Sequence, residues 1–213
     1  VYRASGSWGA TPSQFEGVWM GIQYLEHNIK GIDTKTGKNV VVIGGGNTAI
    51  DCSRTAIRNG AEKVTILYRR SREEMPAEPY EIEEAIHEGV EMLFLISPEK
   101  IETKGDKKYI HCCKMELGEP DRSGRRRPIP IDGSEIIIQA DTVIGAIGQS
   151  TDTRFLYNDL PVKLNAWGDV DINGKTIETS ERKIFAGGDC VTGPATVIQA
   201  IAAGRHAAES IDS

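Results

Sequence analysis

The chain has 213 residues, 39% of them hydrophobic and 26% charged, so it can bury a full core beneath an ordinary water-facing surface. Its 25 basic and 31 acidic side chains leave a net charge of −6, which argues against non-specific binding to nucleic acid or to an anionic membrane. No apolar run approaches the roughly 18 residues of a membrane span, so no membrane partner is expected.

The opening residues, Val1-Tyr2-Arg3-Ala4-Ser5-Gly6, lack a starter Met and form neither a signal nor a transit peptide. They read as the interior of a longer chain. Cys52, Cys112, Cys113 and Cys190 make no Cys-x-x-Cys pair and no zinc spacing, so reduced thiols, a cytoplasmic location and no metal site are expected. Cys112 and Cys113 are adjacent in a strand-like run and should point to opposite faces.

In chain order, Gly17 to Glu26 carries apolar residues at helical spacing and predicts the start of a helix. After a polar connection, Asn39-Val40-Val41-Val42-Ile43 is a short β-branched run stopped by three glycines, the pattern of a buried parallel strand. A helix is predicted from about Thr48 to Asn59, with Gly60 as its stop, and Lys63 to Tyr68 is a second parallel strand. Together they make a right-handed βαβ crossover. A helix over Ala77 to His87 and a third strand, Met92 to Ile96, closed by Ser97-Pro98, should follow. The runs Lys100–Thr103, Tyr109–Leu117 and Ser134–Gln139 are shorter and partly alternating, and predict a small antiparallel meander. Asp141 to Gly145 returns to buried-strand character, and a long helix is predicted from about Ala195 to Ile211.

The strongest motif is Gly44-Gly45-Gly46-Asn47-Thr48-Ala49, a Gly-x-Gly-x-x-Ala between a strand and a helix. Gly44 permits the tight turn, Gly46 lets a pyrophosphate approach the backbone, and Ala49 allows close packing of helix on strand. The amides opening the helix then face the phosphates. An NAD site places an acidic residue about 20 residues further on, at the end of the second strand. Here stand Arg69, Arg70 and Arg72, whose guanidinium groups suit a ribose 2′-phosphate, so NADP(H) is expected over NAD(H).

Two weaker signals follow. Ala146-Ile147-Gly148 ends a buried strand with small residues that let a cofactor pass close to the backbone. Gly188 and Asp189, after Ala186-Gly187, offer a turn and a carboxylate for a ribityl or ribose hydroxyl. The amides of Thr196 and Val197 could stabilise charge on a reduced flavin ring. The last helix also carries an apolar stripe (Val197, Ala200, Ile201, Gly204, Ala207, Ala208, Ile211) suited to core packing. Arg125-Arg126-Arg127 reads as a solvated hairpin tip, and the four histidines show no metal spacing.

Val41 to Asp51, Tyr68-Arg69-Arg70 with Met75-Pro76, Gly118-Glu119-Pro120-Asp121 with Gly124 to Arg127, and Ala186 to Asp189 together resemble the glutamate synthase small (beta) subunit family. Dihydropyrimidine dehydrogenase and ferredoxin:NADP⁺ transhydrogenase subunits share this module. The resemblance implies NADPH, FAD and a separate cysteine-rich domain with iron–sulfur clusters. It implies that NADPH passes hydride to the flavin, whose electrons go on through the clusters to the glutamate synthase large subunit or another acceptor. The family's first Gly-x-Gly-x-x-Gly, which grips the FAD pyrophosphate, is missing, and Trp8 to Gly17 is shorter than the family's equivalent. This chain alone is therefore expected to hold FAD weakly and to be inactive.

The expected architecture is α/β. A doubly wound, Rossmann-like NADPH-binding domain with the meander occupies 32–149, an FAD-domain remnant and crossover helix 1–31, and the rest of the FAD domain 150–213. The pieces before Ile32 and after Ser150 should be the poorly supported ones. Hydride transfer needs no protein base, so no catalytic residue is expected. The absence of Cys-x-x-Cys argues against a dithiol relay. An NADH-using flavoprotein and a non-catalytic dinucleotide-binding module remain the alternatives.

Overall fold

The computed structural model describes residues 2–4, 18–121, 124–153 and 161–212. It divides into two compact units, Gly6–Gly148, and Val1–Ser5 with Gln149–Ser213. The expectation that Trp8 to Gly17 is shortened lies outside the described residues.

In the larger unit, β2 (Val18–Met20), β3 (Asn39–Ile43), β4 (Lys63–Tyr68), β5 (Glu91–Phe94) and β10 (Thr142–Gly145) form one parallel sheet in the order β2-β10-β3-β4-β5. The three central strands, β10, β3 and β4, are largely β-branched runs buried on both faces. Val40 and Val42 belong to one core cluster, Val41 and Ile43 to the other, as alternation along a strand requires. The first cluster packs under α1 (Gly21–Ile29), α2 (Asn47–Arg58) and α3 (Pro79–His87), through Tyr24, Ile50, Ala56 and Ile82. Tyr24 and Ile50 are fully buried, each contributing roughly 1.5–3 kcal/mol.

The second cluster is roofed by three antiparallel strands, β6 (Ile96–Lys104), β7 (Lys107–Pro120) and β9 (Ile136–Ala140), and β8 (Arg126–Pro130) pairs with the later part of β7. The expected Rossmann-like sheet and meander are therefore both present, and the meander is a full covering layer. Cys112 and Ile110 from its central strand β7 are completely buried against the parallel sheet. Cys113, on the opposite face of β7, is also buried and lies near Met115.

Three boundaries differ from expectation. Val18 to Met20 pairs with β10 as an edge strand, and the helix begins only at Gly21, because extended backbone there completes the sheet. The third strand stops at Phe94, where Leu95 takes a positive φ of 57° and turns the chain into β6, which already contains Ser97 and Pro98. The domain boundary expected at residue 32 falls inside the larger unit. There, α1 is anchored by the buried Tyr24 and lies so close to α2 that a Cβ on Gly21 would meet Thr48 Cγ2 at 3.0 Å.

In the smaller unit, β1 (Tyr2–Ala4) pairs antiparallel with β11 (Gln149–Thr151). Isolated bridges then precede α4 (Asp189–Thr192) and α5 (Val197–Asp212). None of the residues of α5 is buried, so the core-packing role expected for its apolar stripe is not realised among the described residues: Val197 is 75% and Ile201 68% exposed. No helix among the described residues is long and apolar enough to cross a membrane, and none of their His, Cys, Asp and Glu side chains form a group of three or more suited to a metal.

Candidate functional site

The three glycines after β3 have three different reasons to be glycine. Gly44 has φ +141°, and a Cβ there would lie 2.2 Å from the carbonyl oxygen of Ala146. At Gly45 a Cβ would lie 2.5 Å from the Tyr68 ring, whose hydroxyl donates to the Glu74 carbonyl at 2.7 Å. Gly46 has an ordinary backbone (φ −93°, ψ 176°), and the nearest atom to its absent Cβ is Pro76 Cγ at 3.9 Å. Neither backbone strain nor protein packing accounts for glycine there. What the missing Cβ preserves is open space in front of α2.

Gly46 is the N-cap of α2, and no side chain caps that end, so the first amides face the same space with the positive end of the helix dipole behind them. Asn47 is exposed, and its Oδ1 accepts the Glu78 amide at 3.0 Å. Thr48 is half-buried and Ala49 fully buried, where a larger side chain would hold the helix off the sheet. Ala146 closes against the turn, its amide donating to the Ile43 carbonyl at 2.7 Å. Ile147 packs on the second core cluster and Gly148 is exposed with φ +102°.

The arginines separate. Arg69 is exposed, with no hydrogen bond or ion pair to another side chain among the described residues. Arg72 is also exposed and pairs with Glu83 of α3. Arg70 departs from the binding role expected of it: it is 5% exposed, and its guanidinium donates to Asp121 Oδ2 and to the Arg126 carbonyl, both at 2.7 Å. Arg126, expected at a solvated tip, donates through Nε to Glu74 at 2.5 Å. The Ser71 hydroxyl holds the Glu74 carboxyl below its ordinary range, and Arg126 adds to this against the opposing effect of burial. Neither this brace nor the Tyr68–Gly45 contact was foreseen. An aromatic ending the strand beside a triple glycine is the signal that could have found the second.

In the smaller unit, Gly188 is buried with φ +72°, and Asp189 Oδ1 accepts the Ala195 amide at 3.2 Å. A cavity of about 340 Å³ runs between Phe185–Asp189 and the first turns of α5, bordered by Thr196, Val197 and Ala200. Thr196 does not offer the free amide expected of it. That amide donates to Gln199 Oε1 at 2.9 Å, and the Thr196 hydroxyl accepts the Gln199 amide at 3.3 Å, a reciprocal cap.

All four cysteines are free thiols. Burial pushes Cys52 far above the ordinary thiol range and Cys112 up to about 12, which makes both poor nucleophiles at neutral pH.

A family profile described as pyridine nucleotide-disulphide oxidoreductase matches residues 3–204. The chain is 45% identical, over 194 residues and 90% of its length, to the beta subunit of the NADP(+)-dependent formate dehydrogenase of Moorella thermoacetica, of which this covers 27%. It is 44% identical, over 82% of its length, to the small chain of the NADPH glutamate synthase of Escherichia coli, of which this covers 38%. The chain thus spans about a quarter to two-fifths of these curated relatives, and the resemblance to the glutamate synthase small subunit is borne out. Among solved structures, T. acidophilum thioredoxin reductase matches 99% of this chain and 62% of its own with a TM-score of 0.70 at 22% identity, a likeness of fold.

Proposed function

The chain belongs to the pyridine nucleotide-disulphide oxidoreductase family, and within it we propose the NADPH-oxidising module of a flavoprotein like the glutamate synthase small subunit. Hydride passes from NADPH to FAD, and electrons go on to iron–sulfur clusters and a partner subunit. The single observation that carries the nucleotide site is Gly46, a glycine required by neither its backbone angles nor its neighbours, at the uncapped start of α2. Space for a pyrophosphate is what such a residue supplies. The amides that open α2 hold the phosphates, Ala146 closes the turn beneath them, and Arg69, exposed beyond the end of β4, reaches the 2′-phosphate.

The cavity beside α5 would take the ring and ribityl end of FAD. Its volume of about 340 Å³ lies at the small end of the usual ligand-pocket range of about 300–1,000 Å³. Gly188 lets the chain pass close, and small side chains on α5 leave the wall flat. FAD, when bound, would take up the two electrons of the hydride together and release them singly to one-electron carriers such as iron–sulfur clusters. The larger unit is then the NADPH domain and the smaller one part of the FAD domain, acting in the cytoplasm.

Calorimetric titration with NADPH and NADH tests this reading. NADPH should bind more tightly, and Arg69→Ala should weaken it roughly ten- to hundredfold, the loss of one or two charge-assisted hydrogen bonds, while leaving NADH unchanged. Equal affinities in the parent chain would favour an NADH-using relative. No binding of either nucleotide would remove the reading.

A further inference from the structure

The loop from Arg69 to Glu78 follows β4 and carries the residue assigned to the 2′-phosphate. On one side it is tied to the glycine turn, because the Ala77 amide donates to the Gly45 carbonyl at 3.1 Å and the Glu78 amide to Asn47 Oδ1 at 3.0 Å. On the other side it is tied to the hairpin of β7 and β8. Arg70 reaches from the loop to Asp121, just past the end of β7, and Arg126 reaches from the start of β8 back to Glu74. The two ion pairs therefore cross in opposite directions between the same two segments. Arg70 also donates to the Arg126 backbone, and the Asp121 amide donates to the Arg125 carbonyl at 2.8 Å, so the mouth of the hairpin is itself locked.

These groups are expensive to place. Arg70 is 5% and Glu74 7% exposed, and burying paired charges gives little net stability compared with apolar residues of the same size. What paired guanidinium and carboxylate groups do supply is a fixed geometry. The loop needs it: of the residues between Arg69 and Glu78, only Met75 and Ala77 bury apolar side chains, and the single turn at Arg72–Glu74 is closed by Ser71 and Glu74 through a mutual cap.

We infer that the β7–β8 hairpin is a positioning element for coenzyme selection: Asp121, Arg126 and Glu74, which themselves do not touch the nucleotide, fix the loop so that Arg69 meets the 2′-phosphate. Selectivity for NADPH is then set in part by the meander, a layer remote in sequence from the glycine turn. The inference rests on the assignment of Arg69 above.

The test uses Arg126→Ala, Arg126→Lys and Asp121→Asn in this chain. NADPH and NADH are titrated against each, and melting is followed in parallel. Arg126 is 47% exposed, so its removal should leave the fold intact. Arg126→Ala and Asp121→Asn should each weaken NADPH about fivefold and NADH not at all, the size of one lost positioning hydrogen bond, with Arg126→Lys recovering part of the loss. Equal weakening of both coenzymes, or unchanged NADPH affinity in a folded Arg126→Ala protein, would overturn the inference even if Asp121→Asn failed to fold. Failure of the underlying assignment looks different: there Arg69→Ala itself leaves the preference for NADPH unmoved.

Discussion

Two helix starts in this molecule follow glycine-rich segments, and they are built in opposite ways. The helix α2 buries Ala49, Ile50, Cys52, Ser53 and Ala56, and no side chain caps its first turn. The helix α5 buries none of its 16 residues, and Thr196 and Gln199 close its first turn on each other. Caps and packing are alternative supports for a helix end. Where packing holds the helix, the first amides can be left for a ligand. Where it does not, the chain satisfies them itself. The comparison marks the start of α2 as the stronger anion site of the two.

The largest effect should come from filling the space in front of α2. Gly46→Val places a side chain where the phosphates would lie, and the protein atom nearest its Cβ is Pro76 Cγ at 3.9 Å. NADPH affinity should fall by more than about a hundredfold, while stability changes by no more than about 1 kcal/mol, the penalty of a branched residue at an N-cap. The same change at Gly44 should instead destroy the fold, because its Cβ meets the Ala146 carbonyl. Intact binding by the Gly46 variant would mean that the turn serves packing alone.

A second pair of variants compares the two helices directly. Ile50 is fully buried and Ile201 is 68% exposed. Ile50→Ala should cost about 2–5 kcal/mol in denaturant unfolding, the loss of a core side chain plus the cavity it leaves. Ile201→Ala should stay within about 0.5 kcal/mol, as at an ordinary surface site. A cost of more than 1 kcal/mol at Ile201 would show that α5 is covered in solution, consistent with its run of exposed apolar residues, Val197, Ile198, Ile201 and Ile211.

Much of the larger unit was legible because its signals are local. Val40 to Ile43 followed by glycines announces a buried strand and a turn, and Gly60, with φ +89°, ends α2 where expected. The strand at Val18–Met20 was not legible, since three residues with apolar spacing read equally as helix, and only pairing with β10, far along the chain, decides the matter. The arginines show the same limit. Adjacent in sequence, Arg69 and Arg70 look equivalent. In the bend that follows β4 they part, one exposed to solvent and one buried against Asp121, which is reached only through the β7–β8 hairpin. In α5 the stripe was read correctly as apolar, but periodicity tells which side is greasy and not what covers it.

The smallest expected effect concerns the cap of α5. Thr196→Ala removes the hydroxyl that accepts the Gln199 amide, a change worth about 1 kcal/mol at a helix N-terminus. With none of the residues of α5 fully buried, little packing offsets that loss. It should appear as roughly fivefold faster amide hydrogen exchange in the first turn of α5, with the larger unit and its affinity for NADPH unmoved. Gln199→Ala should give the same pattern, since the two side chains satisfy one turn together, and the double variant should cost little more than either alone. If exchange instead accelerated along the whole of α5, the cap would be the main support of that helix. If nothing changed, the Thr196 and Gln199 pair would be ornamental, and the contrast between the two helix starts would rest on packing alone.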